Sequence, residues 1–276
     1  MSAMTDVEQP GSYHTAVSTD GTRLAYDQFG TGLPLITVHG ASAHRRLMRP
    51  TAEAFGRHFR AVAYDRRGRF DSGDTLPYAV EREIEDIAAL IAAVGGGPVH
   101  LYGHSSGAGL ALRAVAAGLP VARLVLHDPP YAPDGDPAAQ EEAREWDRVL
   151  TDLLGRGEPA EAIAEFVRRV GAPEEVAQQV KSSPDMVAVA PTLAYDSAVM
   201  DDRNGGAIPA DLARQITQPT LVLVGGESPP FMHEVAQRLA ELLPAGSLQV
   251  LPGQDHNADP EVVAPVVARF LGEGAG

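Results

Sequence analysis

The sequence predicts an α/β protein built on a doubly wound, mostly parallel sheet of eight strands. Short apolar runs of strand type alternate with helical runs along most of the chain. The alternation stops between residues 129 and 211, where only helical runs are found, and then resumes. Several predicted strands are followed directly by glycine, histidine or aspartate, and the carboxyl ends of parallel strands meet at one edge of a sheet.

The predicted strands are short and mostly apolar, and they cover residues 12–18, 22–28, 35–38, 61–64, 99–102, 124–126, 220–224 and 248–251. The first two are separated by Asp20-Gly21, a turn dipeptide, so we expect a hairpin there. Apolar stripes of helical spacing, such as the one from Ile84 to Ile91, predict the helices. The main ones lie at residues 80–93, 108–117, 232–243 and 260–271.

The strandless segment defines the predicted domain organisation. Because the chain leaves one parallel strand and returns to another, the insertion should lie over the carboxyl edge of the sheet. We therefore predict a core domain of residues 1–128 and 212–276. A helical lid of residues 129–211 is inserted after the sixth strand.

Composition narrows the functional classes. The formal net charge is −15 and the isoelectric point is near 4.9, which argues against nucleic-acid binding. The chain has no cysteine, so disulfides and thiolate chemistry are excluded and a cytoplasmic location is favoured. Residues 1–10 are polar and predict a mobile tail, and the apolar runs are all too short for a membrane span. We expect a small-molecule substrate and no membrane partner, while a homodimer stays open.

Ser105 is the candidate nucleophile. It is the centre of Gly103-His104-Ser105-Ser106-Gly107, which follows a predicted strand and precedes a predicted helix. The pattern G-x-S-x-G at such a junction is typical of a nucleophile elbow, a sharp turn that exposes the serine hydroxyl. An ordinary strand-to-helix turn is the alternative interpretation.

His256 is the candidate general base, because it alone among the nine histidines follows the last predicted strand. That strand and the strand before Ser105 end on the same edge of a parallel sheet, so the two side chains can meet. His39-Gly40-Ala41 follows another strand on this edge. The backbone N–H groups of Ala41 and Ser106 are the candidate oxyanion hole.

The order of these motifs, with Asp65-Arg66-Arg67-Gly68 after the fourth strand, resembles the α/β-hydrolase fold from about residue 12 to 272. The chain is similar to bacterial serine esterases and lactonases with helical caps. The resemblance implies that Ser105 is the nucleophile, that His256 is the base, and that Ala41 and Ser106 hold the oxyanion.

The acid that would complete a triad with Ser105 and His256 departs from the pattern of many relatives. Those relatives carry the acid three residues after the glycine that ends the seventh strand. Counting from Gly225 gives Ser228, which is no acid, and Glu227 lies one residue early. Asp128, at the end of the strand after Ser105, resembles the acid of other members. We favour Asp128 over Glu227; a helix cap is its structural alternative.

Phe70 stands where relatives often have glycine, which predicts an altered loop or an aromatic pocket wall. The neighbouring Arg66, Arg67 and Arg69 either anchor this loop, which we favour, or hold a substrate carboxylate. Further aromatic residues are candidates for an apolar substrate pocket, although packing is the interpretation that we favour for them. Together with Phe70 they are Tyr131, Trp146, Tyr195 and Phe231.

These features predict a serine hydrolase that cleaves a carboxylic ester or lactone of a small, largely apolar substrate through an acyl-enzyme. The same residues could hydrolyse a C–C bond or transfer an acyl group, and a non-catalytic small-molecule binder is the alternative of another class. Metal-binding and dinucleotide-binding spacings are absent from the sequence, so we expect no cofactor and no metal.

Overall fold

The computed structural model describes residues 11–272, and this part of the chain contains eight strands and eleven α-helices. The strands are β1 (Ser12–Val17), β2 (Arg23–Phe29), β3 (Pro34–Val38), β4 (Arg60–Tyr64), β5 (Val99–His104), β6 (Val121–His127), β7 (Thr220–Gly225) and β8 (Gly246–Leu251). The helices are α1 (Arg49–Gly56), α2 (Val80–Ala93), α3 (Ser106–Ala116), α4 (Pro137–Gly155), α5 (Pro159–Arg169), α6 (Glu174–Lys181), α7 (Pro184–Val189), α8 (Leu193–Met200), α9 (Ala210–Gln215), α10 (Pro230–Leu242) and α11 (Pro260–Gly272). The tail predicted at residues 1–10 lies outside the described residues.

The strands form one sheet in the order β1-β2-β4-β3-β5-β6-β7-β8. β2 is antiparallel to both of its neighbours, and every other pair is parallel. β1 and β2 form the expected hairpin, with Val17 paired to Arg23 on either side of the turn. The prediction of an eight-stranded, mostly parallel sheet is confirmed.

Both faces of the sheet are buried. Leu35 and Ile36 are neighbours on β3 and both are fully buried, but they belong to separate hydrophobic clusters. Ile36 packs in a cluster with residues of α2, α3 and α10, and Leu35 in one with residues of α1 and α11. Since side chains alternate along a strand, two covered faces explain why these strands are apolar throughout.

The segment between β6 and β7 is helical. It contains α4 to α9 and two short 3₁₀ turns, and its strand-type pairing within the described residues is one isolated bridge between Ala132 and Ala207. α8 packs on α2 and α3, so the insertion contacts the helix that follows Ser105. The limits of a separate lid at residues 129–211 stay a prediction, and α9 crosses the second limit.

α1 was not predicted. It has eight residues and buries Ala52, Ala54 and Phe55 beneath α11. Two turns are too short for an apolar repeat to stand out, and tertiary packing rather than propensity stabilises such a helix. Within residues 11–272, no helix has the length and apolarity that crossing a membrane requires.

Candidate active site

Ser105 lies on the tight turn between β5 and α3, with φ 56° and ψ −131°. A non-glycine residue in this left-handed region stores about 1–3 kcal/mol of strain, which the surrounding structure must offset. The Ser105 N–H donates to the carbonyl oxygen of His127 at 2.9 Å, which ties the turn to β6. A Cβ atom on Gly107 would lie 2.2 Å from the Val38 carbonyl oxygen, so only glycine lets α3 approach β3 this closely.

Backbone strain is concentrated at one edge of the sheet. Five non-glycine residues between positions 11 and 272 have a positive φ. Four of them follow β3, β4, β5 and β6, which are consecutive neighbours in the sheet. They are Ser42 (φ 56°), Phe70 (φ 45°), Ser105 (φ 56°) and Asp128 (φ 48°). Strained residues cluster at functional sites, and here each follows the carboxyl end of a strand. A positive φ favours glycine, which is the residue that the family resemblance predicts at the position of Phe70.

Asp128 and His256 form a hydrogen-bonded pair at this edge. The Asp128 Oδ2 atom lies 3.2 Å from Nδ1 of His256. The same oxygen accepts from the Ser228 hydroxyl at 2.7 Å, and Oδ1 accepts from the Gly225 N–H at 3.2 Å. Asp128 is fully buried, whereas the His256 side chain is 29% exposed.

The charge of Asp128 is stabilised by these partners. Burial opposes its ionisation, but the hydrogen bonds from His256 and Ser228 and the nearby His127 hold its pKa below the ordinary value. The carboxylate is therefore charged at neutral pH. Glu227 is exposed, and its N–H donates to the Gln254 carbonyl oxygen at 2.8 Å. The carboxylate in contact with His256 thus belongs to Asp128.

A second histidine, His104, joins the loop of His256 to the end of β5. His104, the residue before Ser105, donates from Nε2 to the His256 carbonyl oxygen at 2.8 Å, and the two ring centres are 4.7 Å apart. In residues 11–272 the hydrogen bonds of His256 run to Asp128 and His104, and none joins its ring to Ser105 Oγ. In ligand-free enzymes such bonds are often long and tighten when substrate binds.

Gly40 brings the candidate oxyanion loop against Ser105. A Cβ atom built on Gly40 would lie 2.8 Å from the Ser105 Cβ and 3.3 Å from its Oγ. Ala41 follows directly, and Ser106 is the first residue of α3. Within the described chain, neither the Ala41 N–H nor the Ser106 N–H donates to another protein group. Both donors are therefore free for a ligand, and the N-terminus of α3 favours negative charge there.

The three arginines that follow β4 are buried and paired with carboxylates of the protein. Arg66 contacts Glu83 and Asp196, Arg67 contacts Asp86 and Asp20, and Arg69 contacts Asp196. Because their guanidinium groups are already neutralised, the contacts favour the loop-anchoring interpretation over capture of a substrate carboxylate.

Two of the candidate pocket residues are buried in hydrophobic clusters. Tyr131 is 1% exposed and packs in the core on α3, close to Gly109. Trp146 of α4 packs in a cluster formed by the inserted helices, and Ala41 packs against the same cluster. An apolar wall that includes Trp146 therefore lies next to the candidate oxyanion loop.

The other three candidates lie apart from one another. Phe70 stacks on His44 with ring centres 3.7 Å apart, and Tyr195 stacks on Tyr78 at the same distance. Phe231 is 38% exposed in the first turn of α10. The described contacts do not join these three residues into one pocket.

Sequence reasoning missed two histidines next to the candidate triad. His104 and His127 immediately precede Ser105 and Asp128, and their ring centres are 5.2 Å apart. Burial lowers the pKa of His127 to about 4 and depresses that of His104 strongly, so both are neutral at pH 7. Their place at the ends of neighbouring strands was the available signal. The described residues contain no group of three or more His, Cys, Asp or Glu arranged to hold a metal ion.

The chain matches a known protein family. The model of the alpha/beta hydrolase family matches residues 35–266, from β3 into α11. That match covers most of the chain, so the chain belongs to the alpha/beta hydrolase family, and the predicted resemblance is confirmed.

Individual relatives differ in what they do. An alpha/beta hydrolase from Sphaerobacter thermophilus is 43% identical, with a TM-score of 0.80 over 94% of this chain and 100% of that one. An esterase from Thermogutta terrifontis is 27% identical, with a TM-score of 0.69 over 95% of this chain and 98% of the esterase. N-formylmaleamate deformylase from Pseudomonas putida is 41% identical over 123 residues, which are 43% of this chain. The chain thus spans 46%, under half, of the deformylase's own length.

Proposed function

We propose that the protein is a serine hydrolase that cleaves a carboxylic ester or lactone of a small, largely apolar substrate. One observation carries the proposal. Ser105 sits on a strained turn beside two free backbone donors, and the Asp128–His256 pair lies at the same edge of the sheet. The likeness to an esterase over 95% of this chain supports the ester class.

The acylation step uses each of these groups. Ser105 Oγ attacks the carbonyl carbon while His256 Nε2 takes its proton. Asp128 accepts from Nδ1, which fixes the tautomer and stabilises the imidazolium that forms. The N–H groups of Ala41 and Ser106 hold the oxyanion of the tetrahedral intermediate. As the C–O bond breaks, His256 returns the proton to the leaving alkoxide.

Deacylation repeats the sequence with water in place of the serine. His256 takes a proton from the water, which attacks the acyl carbon, and then returns the proton to Ser105 Oγ. In this proposal the inserted helices at residues 129–211 act as a lid. The Trp146 cluster against Ala41 supplies an apolar surface for the acyl or ring part of the substrate.

Hydrolysis of an N-formyl amide is the second candidate. The likeness to N-formylmaleamate deformylase, at 41% identity over 123 residues, favours it. The same triad and oxyanion hole serve both reactions; the difference is that His256 then protonates a leaving nitrogen.

A substrate panel with a serine-directed label tests the proposal. The full chain is assayed against p-nitrophenyl esters, lactones, N-formyl amides and β-diketones, beside the Ser105→Ala variant. We expect turnover of esters or lactones, at least about 10³-fold lower kcat in the variant, and one fluorophosphonate adduct on the peptide that contains Ser105. Preferred N-formyl amides would establish the second candidate, and preferred β-diketones would identify C–C hydrolysis. An unlabelled, inactive wild type would point to a binder.

A further inference from the structure

The peptide group between Gly40 and Ala41 has a charged partner on its carbonyl side. Arg69 Nη1 donates to the Gly40 carbonyl oxygen at 2.7 Å. The N–H on the other side of this peptide belongs to Ala41, the proposed oxyanion donor. In a planar trans peptide the C=O and the N–H point in opposite directions, so a group that holds the carbonyl also aims the N–H.

Arg69 is held firmly enough to act as such a support. It is 1% exposed and also donates to the Ala43 carbonyl oxygen at 3.2 Å, to the Thr192 hydroxyl at 3.1 Å and to Asp196 at 2.7 Å. A planar guanidinium holds several acceptors in one fixed geometry. Its charge also polarises the Gly40–Ala41 peptide, which strengthens the N–H as a donor.

Asp196 connects this support to the second oxyanion donor. Its Oδ2 accepts from Arg69, and its Oδ1 accepts from the Ser106 hydroxyl at 2.7 Å. Oδ1 also accepts from Arg66, whose other bonds reach Glu83 and the His39 carbonyl oxygen. Burial opposes the charge of Asp196, but the positive charges of Arg69 and Arg66 outweigh this effect and lower the pKa of Asp196. Its side chain is therefore an ionised carboxylate.

From these contacts we infer that Arg69 and Asp196 are positioning residues that set the geometry of the oxyanion hole. Asp196 belongs to α8, so the inserted segment completes the catalytic edge as well as packing on it. The inference rests on the proposed function, since it assumes that the Ala41 and Ser106 N–H groups receive the oxyanion.

Arg67 provides a matched control. It lies on the same loop, is fully buried and makes paired hydrogen bonds to Asp86 at 2.7 and 2.8 Å. Its remaining bonds go to Asp20 and to the Arg82 carbonyl oxygen, so none of its hydrogen bonds goes to residues 39–43. Replacing Arg67 therefore removes a comparable buried ion pair without touching the oxyanion loop.

The test compares Arg69→Lys with Arg67→Lys in the full-length enzyme, using the best ester from the panel. For each variant we measure kcat, KM and the thermal midpoint of unfolding. We also measure inhibition by an alkyl boronic acid, which forms a tetrahedral adduct on serine. Lysine keeps the charge of Arg69 but cannot hold four acceptors in one plane. We expect Arg69→Lys to lower kcat roughly tenfold to hundredfold and to weaken inhibition by the boronic acid by a similar factor. KM should stay within about threefold of the wild-type value. Arg67→Lys should leave kcat and boronic-acid inhibition within about threefold of the wild type.

Ser106→Ala keeps the inference testable if Arg69→Lys fails to fold. It removes the hydroxyl bond to Asp196 but keeps the backbone N–H, and we expect kcat to fall about threefold to tenfold at unchanged KM. The inference would be overturned by equal kcat in Arg69→Lys and Arg67→Lys, or by an effect of Arg69→Lys that is confined to KM. If Arg69→Lys does not fold, full activity of the single variant Ser106→Ala would overturn it. Full activity of Ser105→Ala would instead overturn the proposed function itself, so the two failures are distinguishable.

Discussion

At the carboxyl end of β6 stands Asp128, whereas the neighbouring β7 ends at Gly225 and leads to Ser228. The family pattern that the sequence resembles predicts an acid at the position of Ser228. Here Ser228 and Gly225 both donate to Asp128, which in turn contacts His256. The two donors at the end of β7 thus stabilise the carboxylate at the end of β6. Because adjacent strands are only about 4.8 Å apart, we expect that a carboxylate at the end of either strand could reach His256.

Neutralising Asp128 should have the largest effect at these two strand ends. In Asp128→Asn the neutral amide can favour the wrong tautomer of His256 and cannot stabilise the imidazolium. We expect kcat for the best ester to fall by roughly 10³–10⁴-fold with little change in fold, as measured by steady-state kinetics and circular dichroism. A loss under about tenfold would mean that the carboxylate at β6 is structural.

Moving the acid to β7 should recover part of this loss. The Ser228 hydroxyl lies 2.7 Å from the Asp128 Oδ2 atom that contacts His256, so a carboxylate at position 228 starts from nearly the same place. We expect Asp128→Asn/Ser228→Asp to exceed Asp128→Asn in kcat by about tenfold or more, through restored stabilisation of the imidazolium. Ser228→Asp alone, which crowds two carboxylates, serves as the control and should be less active than wild type. No recovery in the double variant would show that the two strand ends are not equivalent.

Removing the supporting hydroxyl should have a moderate effect with a definite pH signature. Ser228→Ala deletes a hydrogen bond that favours the charged form of Asp128, so the pKa of Asp128 should rise. The charged form is present above this pKa, and the acid-side loss of activity should therefore begin at a higher pH than in wild type. We expect kcat at neutral pH to fall about threefold to tenfold. Superimposable pH–kcat profiles of the variant and the wild type would contradict this role of Ser228.

Glu227→Gln should have the smallest effect. Glu227 is exposed, and the contact that it makes uses its backbone N–H, which glutamine retains. We expect kcat and KM within about twofold of wild type, as is usual for surface substitutions. A loss comparable to that of Asp128→Asn would move the acid to the end of β7.

Features that depend on neighbouring residues could be predicted from the sequence, whereas contacts between residues far apart in the chain could not. Strands, the hairpin turn and the motif around Ser105 are local patterns, and the carboxyl edge brings the strand ends together once the parallel sheet is assumed. Asp196 had no such signal, because its partners Ser106 and Arg69 are 90 and 127 positions away. Its sequence surroundings are those of an ordinary helix. The bond from His104 to the His256 backbone also depends on the loop conformation, which no periodicity encodes.

The central claim is that Ser105, His256 and Asp128 act as one catalytic unit, and a double-mutant cycle tests it most directly. The kcat values of wild type, His256→Ala, Asp128→Asn and the double variant are measured on one ester at one pH. Residues that act as a unit are strongly non-additive. Asp128→Asn should therefore cost roughly 10³-fold or more in wild type but less than about threefold once His256 is alanine. Losses that multiply in the double variant would contradict the account, because Asp128 would then act independently of His256.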